Sequence, residues 1–344
     1  MAADLRVLLD ATPLLGPRTG IGRYTSSLTS ALMSDVDVRL IGFSTRGWRR
    51  LRAEAPAGTA VVGPPIPARA LRKLWRGGSF PPIELLSGAV EVVHGTNFVL
   101  PPSVRAAGVV TVHDLAFLED PSLAPDDLPA LVRRSAQRAR VVCTPTAAVA
   151  DQVAERLDVA PEKLAVTPLG VDPEWFSATP VSDHRLPPEY LLFVGADGPR
   201  KGLDVLREAL APDLPPLVIA GPGDAGEVDG VVRTGFLSDE RLRALVAGAG
   251  AVVLPSRDEG FGLPVLEALA CGVPVVCSDL PALREVAGSH AVFAPAEDPA
   301  ALREALRRAL SSPPDAEAGR AHAKSFSWQR CASRTHAAYL RAVA

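Results

Sequence analysis

Two glutamates eight positions apart, Glu259 and Glu267, bracket a glycine-rich turn in "SRDEGFGLPVLEALACGVPVVCSD". A carboxylate can accept two hydrogen bonds from neighbouring hydroxyls. Gly260 and Gly262 let the backbone approach a ligand closely. Pro264 suits the first turn of a helix, where its missing N–H would have had no partner. The free amides of that turn, with the helix dipole, favour an anion such as a diphosphate. Glu259 falls in the loop before the helix and Glu267 about one turn inside it. The pair can hold hydroxyl-bearing groups on either side of a bound diphosphate, which is the layout of a nucleotide sugar. The same spacing also fits a capped surface helix with solvated glutamates.

A second cluster, "GPRKG", sets Arg200 beside Lys201 after an apolar run and at the opening of a helix. Two adjacent cations there suit a phosphate. His113 follows "VVTV" and precedes Asp114, where it can donate to a sugar hydroxyl or orient the loop. His94, with Asn97 close by, follows another apolar run and is placed near an acceptor. "GPRTGIGRY" holds Gly20 and Gly22 but has Thr25 where the third glycine of a dinucleotide fingerprint would stand, which argues against NAD. "DVD", Asp35 to Asp37, starts a strand with both carboxylates on one face and reads as a solvated edge. No His, Cys, Asp or Glu cluster has metal-ligand spacing, so no metal is expected.

The elements that must position these residues alternate along the whole chain. In the first half, apolar runs such as "LRVLLDA", "VEVVHG", "GVVTVHD" and "RVVCTP" alternate with helical patterns; "YLLFVGA", "PLVIAG", "AVVLPS" and "VPVVCSD" do so in the second. Continuous Val/Ile/Leu runs between helices indicate parallel sheets covered on both faces. Two such series predict two doubly wound, Rossmann-like α/β domains. At 344 residues the chain suits two domains. The break falls in the proline-rich, aperiodic stretch Gly170–Glu189. The expected division is 1–171 for the first domain and 172–329 for the second, with 330–344 as a helix packing back on the first. Ligands of such sheets bind beyond the carboxyl ends of the strands, so the cleft between two such domains is the expected site.

Composition excludes other classes. The net charge of −3 gives no electrostatic case for nucleic acid. No apolar run reaches the ~18 residues of a membrane span, and the N-terminus lacks a basic region followed by an apolar signal core. Cys143, Cys271, Cys277 and Cys331 form no CxxC pair and read as reduced residues of a cytoplasmic protein. One departure from even charge stands out. Between Arg46 and Arg76 there are eight basic residues and a single acidic one, Glu54. In "ARALRKLWRGG", Arg69, Arg72, Lys73 and Arg76 follow helical spacing, with Leu71, Leu74 and Trp75 as a neighbouring stripe. Such a helix suits an anionic lipid surface or an anionic acceptor, peripheral at the inner face of a membrane. An ordinary helix buried by its leucines is the alternative.

"EGFGLPVLEALACGVPVVCSD" resembles the E-x7-E signature of family-4 retaining glycosyltransferases of GT-B architecture, two Rossmann-like domains facing across a cleft. "TGIGRYTSSL", "VHGTNFVLPP", "VVTVHDLAFLEDP", "TPLGVD", "VGADGPRKGLDVL" and "GFLSDERLRALVAGAGAVVLPS" resemble further segments of that family in the same order. The resemblance implies that Glu259 contacts the hydroxyls of the donor sugar and Glu267 those of the ribose. It implies that the amides of Phe261, Gly262 and Leu263 approach the diphosphate or sugar, and that Arg200 and Lys201 neutralise the diphosphate. Phe236 and Leu237 would border the base, Gly22 would let its loop approach the donor phosphates, and His113 would lie beside the reacting sugar. Many members carry an arginine shortly after the first strand of the second domain, where this chain has Ala196; Arg200 is the nearest substitute.

The resemblance, strongest to bacterial mannosyltransferases, implies metal-independent transfer of mannose from GDP-mannose to an oligosaccharide or glycolipid, with no cofactor. Domain closure would exclude water. UDP-glucose and UDP-hexosamine remain open as donors. The rivals are a sugar-nucleotide epimerase of the same fold, a sugar-nucleotide-binding subunit without turnover, and a two-domain sugar-binding protein of periplasmic type. The E-x7-E pattern, intact Lys201 and the absent signal segment argue against these in turn.

Overall fold

A computed structural model describes residues 5–16, 19–45, 47–180, 186–228 and 230–344. Arg46 of the basic segment and residues 181–185 of the proline-rich break lie outside the described residues. The chain divides into two units, Met1–Gly170 with Trp328–Ala344, and Val171–Ser327.

The first unit is built on seven strands: β1 (Arg6–Asp10), β2 (Asp37–Ile41), β3 (Ala60–Val61), β4 (Val92–Gly95), β5 (Ala107–Thr111), β6 (Val141–Thr144) and β7 (Leu164–Val166). They pair in parallel in the order β3-β2-β1-β4-β5-β6-β7. Val7, Leu8 and Leu9 are all fully buried, which is why these strands read as unbroken apolar runs. The strand order reverses between β1 and β4, opening a crevice beyond their carboxyl ends. Helix Trp328–Val343 closes this unit, with Trp328, Cys331 and Tyr339 buried.

Two sequence expectations change here. β2 lies between β1 and β3, so Asp37 is not on an edge strand; it reaches solvent at the strand's start and meets Arg39 at 3.2 Å. Helix Ala68–Gly77 buries Leu71 and Trp75, but Leu74 is 52% exposed. Leu71 and Trp75 are one turn apart and share a face, whereas Leu74 falls beside it. Arg72 is drawn from the basic face to Asp127, at 3.0 Å.

The second unit holds β8 (Leu191–Val194), β9 (Leu217–Ala220), β10 (Gly226–Val228), β11 (Val231–Gly235), β12 (Ala251–Leu254), β13 (Val275–Ser278) and β14 (Val292–Ala294), in the order β10-β11-β9-β8-β12-β13-β14. Among the described residues only β10 is antiparallel, paired with β11. Here the reversal lies between β8 and β12. Helix Leu263–Cys271 follows β12 and is buried on nearly every side. Its cap, Gly262, has φ +87°, and a Cβ there would lie 2.6 Å from Leu283 Cδ2. The helix stops at Gly272, which is also left-handed.

Candidate functional site

In the second unit the loops after β8 and β12 meet at the crevice where the strand order reverses. Gly202, at φ +63°, makes the meeting possible, because a Cβ there would lie 2.0 Å from the carbonyl oxygen of Pro255. The backbone of Arg257 then donates to the Arg200 carbonyl at 2.8 Å. This register sets the Arg200/Lys201 turn, Pro199–Lys201, against the loop carrying Glu259.

Glu259, 8% exposed, is the centre of that contact. Lys201 Nζ lies 2.5 Å from Oε1, and Ser256 Oγ donates to the same oxygen at 2.7 Å. Arg200 lies 3.7 Å from Oε2 and donates to the Asp258 carbonyl at 3.0 Å. Burial pushes the Glu259 carboxyl up, but Lys201 and Arg200 outweigh it and hold the group below the usual carboxylate range. The sequence assigned the glutamate to a sugar and the cations to a phosphate; the structure brings all three together. Two cations and the Ser256 hydroxyl converge on one buried carboxylate, and Ser256 carries no signal in the sequence that marks it for the site.

Glu267 lies in the buried helix at 1% exposure. The ring of Phe261 packs on Phe326, with centroids 6.1 Å apart, so toward a ligand this residue has its backbone to offer. Leu263 is buried. Phe236, just after β11, is 61% exposed beside half-buried Leu237, an open aromatic face of the kind that stacks on a flat ring. Next to Ala196, Asp197 holds Arg233 of β11 at 2.9 Å. Arg233 is therefore a further cation near the loop that carries Arg200 and Lys201; its strand position hid it among apolar neighbours.

In the first unit the crevice gathers Asp10, Asn97, Phe98 and the neighbourhood of His113. Asp10 ends β1 and accepts from the backbone N–H of Thr12 at 2.9 Å and from its hydroxyl at 2.5 Å. Burial nevertheless pushes its pKa up to about 6. Asn97 Oδ1 is buried without a hydrogen-bond partner, a state that costs about 1–3 kcal/mol unless a ligand donates to it. Phe98 next to it stands at φ +62°, held between the rings of His113 and Phe117. Gly22 lies in the first turn of helix Gly20–Leu32, its N–H donating to the Thr19 side chain at 3.3 Å.

His113 Nε2 donates to the Thr96 carbonyl at 2.8 Å, and its ring meets Tyr24 edge-on at 4.9 Å. A carbonyl only accepts, so the proton is on Nε2, and Nδ1 of the neutral ring is an acceptor. Burial lowers the pKa and keeps the ring neutral. Of the two roles read from the sequence, orienting the loop is the one this hydrogen bond to Thr96 serves, and it leaves Nδ1 to accept. His94 is corrected. It is completely buried, with Nδ1 2.7 Å from Tyr339 Oη and Nε2 2.8 Å from Thr111 Oγ1. It joins the closing helix to the sheet and has no surface for an acceptor.

His94 and Asp10 tie stability to pH with opposite signs. Burial holds His94 at about 3, below its unfolded value of about 6.5, so the unfolded chain binds the extra proton and acidification destabilises the fold. Asp10 at about 6 exceeds its unfolded ~3.9, so between those values the folded state binds the extra proton and acidification stabilises. Asp10→Asn removes the compensating group. Urea titrations of that variant should show stability falling more steeply from pH 6 to 4.5, by up to about 1.4 kcal/mol per unit. Equal slopes in parent and variant would refute the assignment.

Models of two families match the chain: "Glycosyltransferase Family 4" over residues 18–175 and "Glycosyl transferases group 1" over residues 188–312. An O-antigen chain mannosyltransferase B of Escherichia coli is 30% identical over 282 residues, covering 72% of this chain and 74% of the relative. An MMP alpha-(1->4)-mannosyltransferase of Mycolicibacterium hassiacum is 34% identical over 235 residues, covering 62% of this chain and 56% of the relative. Among solved structures, sucrose-phosphate synthase from Thermosynechococcus elongatus superposes with TM-score 0.75 at 19% identity, covering 98% of both chains. An Anabaena protein in complex with UDP-glucose superposes with TM-score 0.71 at 16% identity, covering 96% and 98%. No helix among the described residues is long and apolar enough to cross a membrane.

Proposed function

Because the chain belongs to the family-4 glycosyltransferases of GT-B fold, we propose that it moves mannose from GDP-mannose onto an oligosaccharide or glycolipid, with retention of configuration. The observation that carries this reading is the junction of Lys201, Arg200 and Glu259 at the strand-order reversal of the second sheet. The mannosyl donor is supported by the names of the two relatives.

In this reading the donor's diphosphate takes Lys201 and Arg200 from Glu259, and the freed carboxylate turns to the sugar hydroxyls. Glu267 holds the ribose and Phe236 with Leu237 borders the base, while the amides of Phe261, Gly262 and Leu263 meet the diphosphate or sugar. As the bond from the anomeric carbon to the phosphate oxygen breaks, the leaving diphosphate gains charge that the two cations stabilise. The acceptor oxygen attacks from the same face, and its proton passes to the leaving phosphate. His113 Nδ1 accepts from a hydroxyl of the reacting sugar, Gly22 keeps its loop close to the donor phosphates, and Asn97 Oδ1 accepts from the sugar acceptor. Exposed Leu74, between Lys73 and the other cations of its helix, supports contact with an anionic lipid.

A thermal-shift panel of GDP-mannose, UDP-glucose and UDP-N-acetylglucosamine tests the donor, since the true one stabilises by mass action. GDP-mannose should give the largest shift, transfer should survive EDTA, and the product's anomeric proton should report retention. A larger shift with a UDP-sugar would move the assignment to the second reading, a UDP-hexose transferase, which the UDP-glucose complex of the Anabaena neighbour favours.

A further inference from the structure

A cavity of about 840 Å³ in the first unit is at the wrong end of the sheet for transfer chemistry. It is lined by Glu91, which precedes β4, by Ala107 at the start of β5, and by Arg140, which precedes β6. His113 and Asn97 lie past the carboxyl ends of strands in the same sheet, and Asp10 ends β1. A strand of four or five residues separates the two ends by about 15 Å.

The wall is built and its charge is uneven. Glu84 accepts the backbone N–H groups of Val104, Arg105 and Ala106 at 2.9, 2.9 and 3.1 Å, which fixes the turn forming one rim. Glu91 is engaged by Arg6 through its backbone and its guanidinium. Glu91 is thus committed, and Glu84 holds the rim through Oε1 while its Oε2 is buried without a hydrogen-bond partner. The cations of the lining have no carboxylate partner among the described residues. Arg138 donates to the Leu100 carbonyl and has no carboxylate partner, and burial with neighbouring Arg134 depresses its pKa to about 10. Arg140 and Arg105 have no side-chain partner among the described residues. Around them stand exposed aliphatic groups, with Leu85 at 67%, Val104 at 76% and Val343 at 44%.

We infer that this cavity binds an amphipathic phosphate, its head on Arg138 and Arg140 and its single aliphatic chain along Leu85, Val104 and Val343. A cavity of this volume is within the range of small-molecule sites. A half-buried guanidinium without a counter-ion gains most from an anion that also brings apolar surface to cover it. The cavity lies at the end of the first sheet opposite Asn97 and His113, and the inference stands whether or not the donor assignment holds.

The test is calorimetry of the full chain with decyl phosphate below its micelle concentration, beside inorganic phosphate and decyl glucoside. Decyl phosphate should bind at least 10-fold more tightly than either. Arg140→Gln, an exposed substitution, and Val104→Asp should each weaken it about 10-fold, and nucleoside-diphosphate affinity should stay unchanged in both. Equal binding of inorganic phosphate, equal binding of decyl glucoside, or unchanged decyl phosphate affinity in both variants would each overturn the site.

Discussion

Glu259→Gln should bind a bare nucleoside diphosphate at least as tightly as the parent protein, yet transfer sugar about 100-fold more slowly. In the resting protein the Glu259 carboxylate competes with phosphate for Lys201 at 2.5 Å and Arg200 at 3.7 Å. Glutamine keeps the shape and the Ser256 contact but removes the competing charge, so both cations become fully available to the anion. The sugar, in contrast, loses a charged acceptor for its hydroxyls, and charge-assisted hydrogen bonds are worth about 1.5–3 kcal/mol. An interaction strongest at the transition state lowers kcat more than it raises KM. Lys201→Ala should do the reverse, weakening nucleotide and full donor alike and leaving Glu259 a buried charge with a distant partner. Calorimetry with nucleotide and donor, together with transfer rates, distinguishes the two patterns. Weaker nucleotide binding by Glu259→Gln would mean that the carboxylate does not compete for those cations.

The largest stability loss is expected at His94. His94→Ala would leave the hydroxyl of Tyr339 without its partner, take one of two partners from Thr111, which keeps Tyr24 at 2.8 Å, and open a cavity between the closing helix and the sheet. The unsatisfied hydroxyl costs about 1–3 kcal/mol and the cavity adds to it, giving a total of about 3–5 kcal/mol and a melting temperature lower by roughly 10 °C. Tyr339→Phe should cost about 1–2 kcal/mol, and the double variant should lose less than the sum, because both changes remove one shared hydrogen bond. A shift below about 2 °C in His94→Ala would show that the network contributes little.

The sheets were legible because parallel strands buried on both faces write themselves as unbroken runs, as Val252 and Val253 do in β12. β10, three residues of "GEV", carries too little apolar signal to be seen. The site loops were legible because glycines and cations follow strands. What spacing could not carry was which charges touch. The Lys201–Glu259 contact spans 58 positions and depends on Gly202 admitting the Pro255 carbonyl. His94 misled for a related reason. A histidine at the end of an apolar run looks the same whether its partners are substrate hydroxyls or, as here inside β4, those of Thr111 and Tyr339, the latter 245 positions away. Leu74 misled because three apolar residues near one another on a helix need not share a face.

The closing helix has a consequence for synthesis. The chain leaves the first unit at Gly170 and returns only at Trp328, with the whole second unit made in between. At about 5–20 residues per second, translation of that interval occupies on the order of ten seconds. Throughout it the nascent first sheet lacks the helix that covers β5 and β6, and His94 has no partner for Nδ1. The second unit, continuous in sequence, can complete its core first even though its codons come later. Completion of the first unit therefore waits on the end of the genetic message, and the half-built first sheet is the species a nascent-chain chaperone would meet.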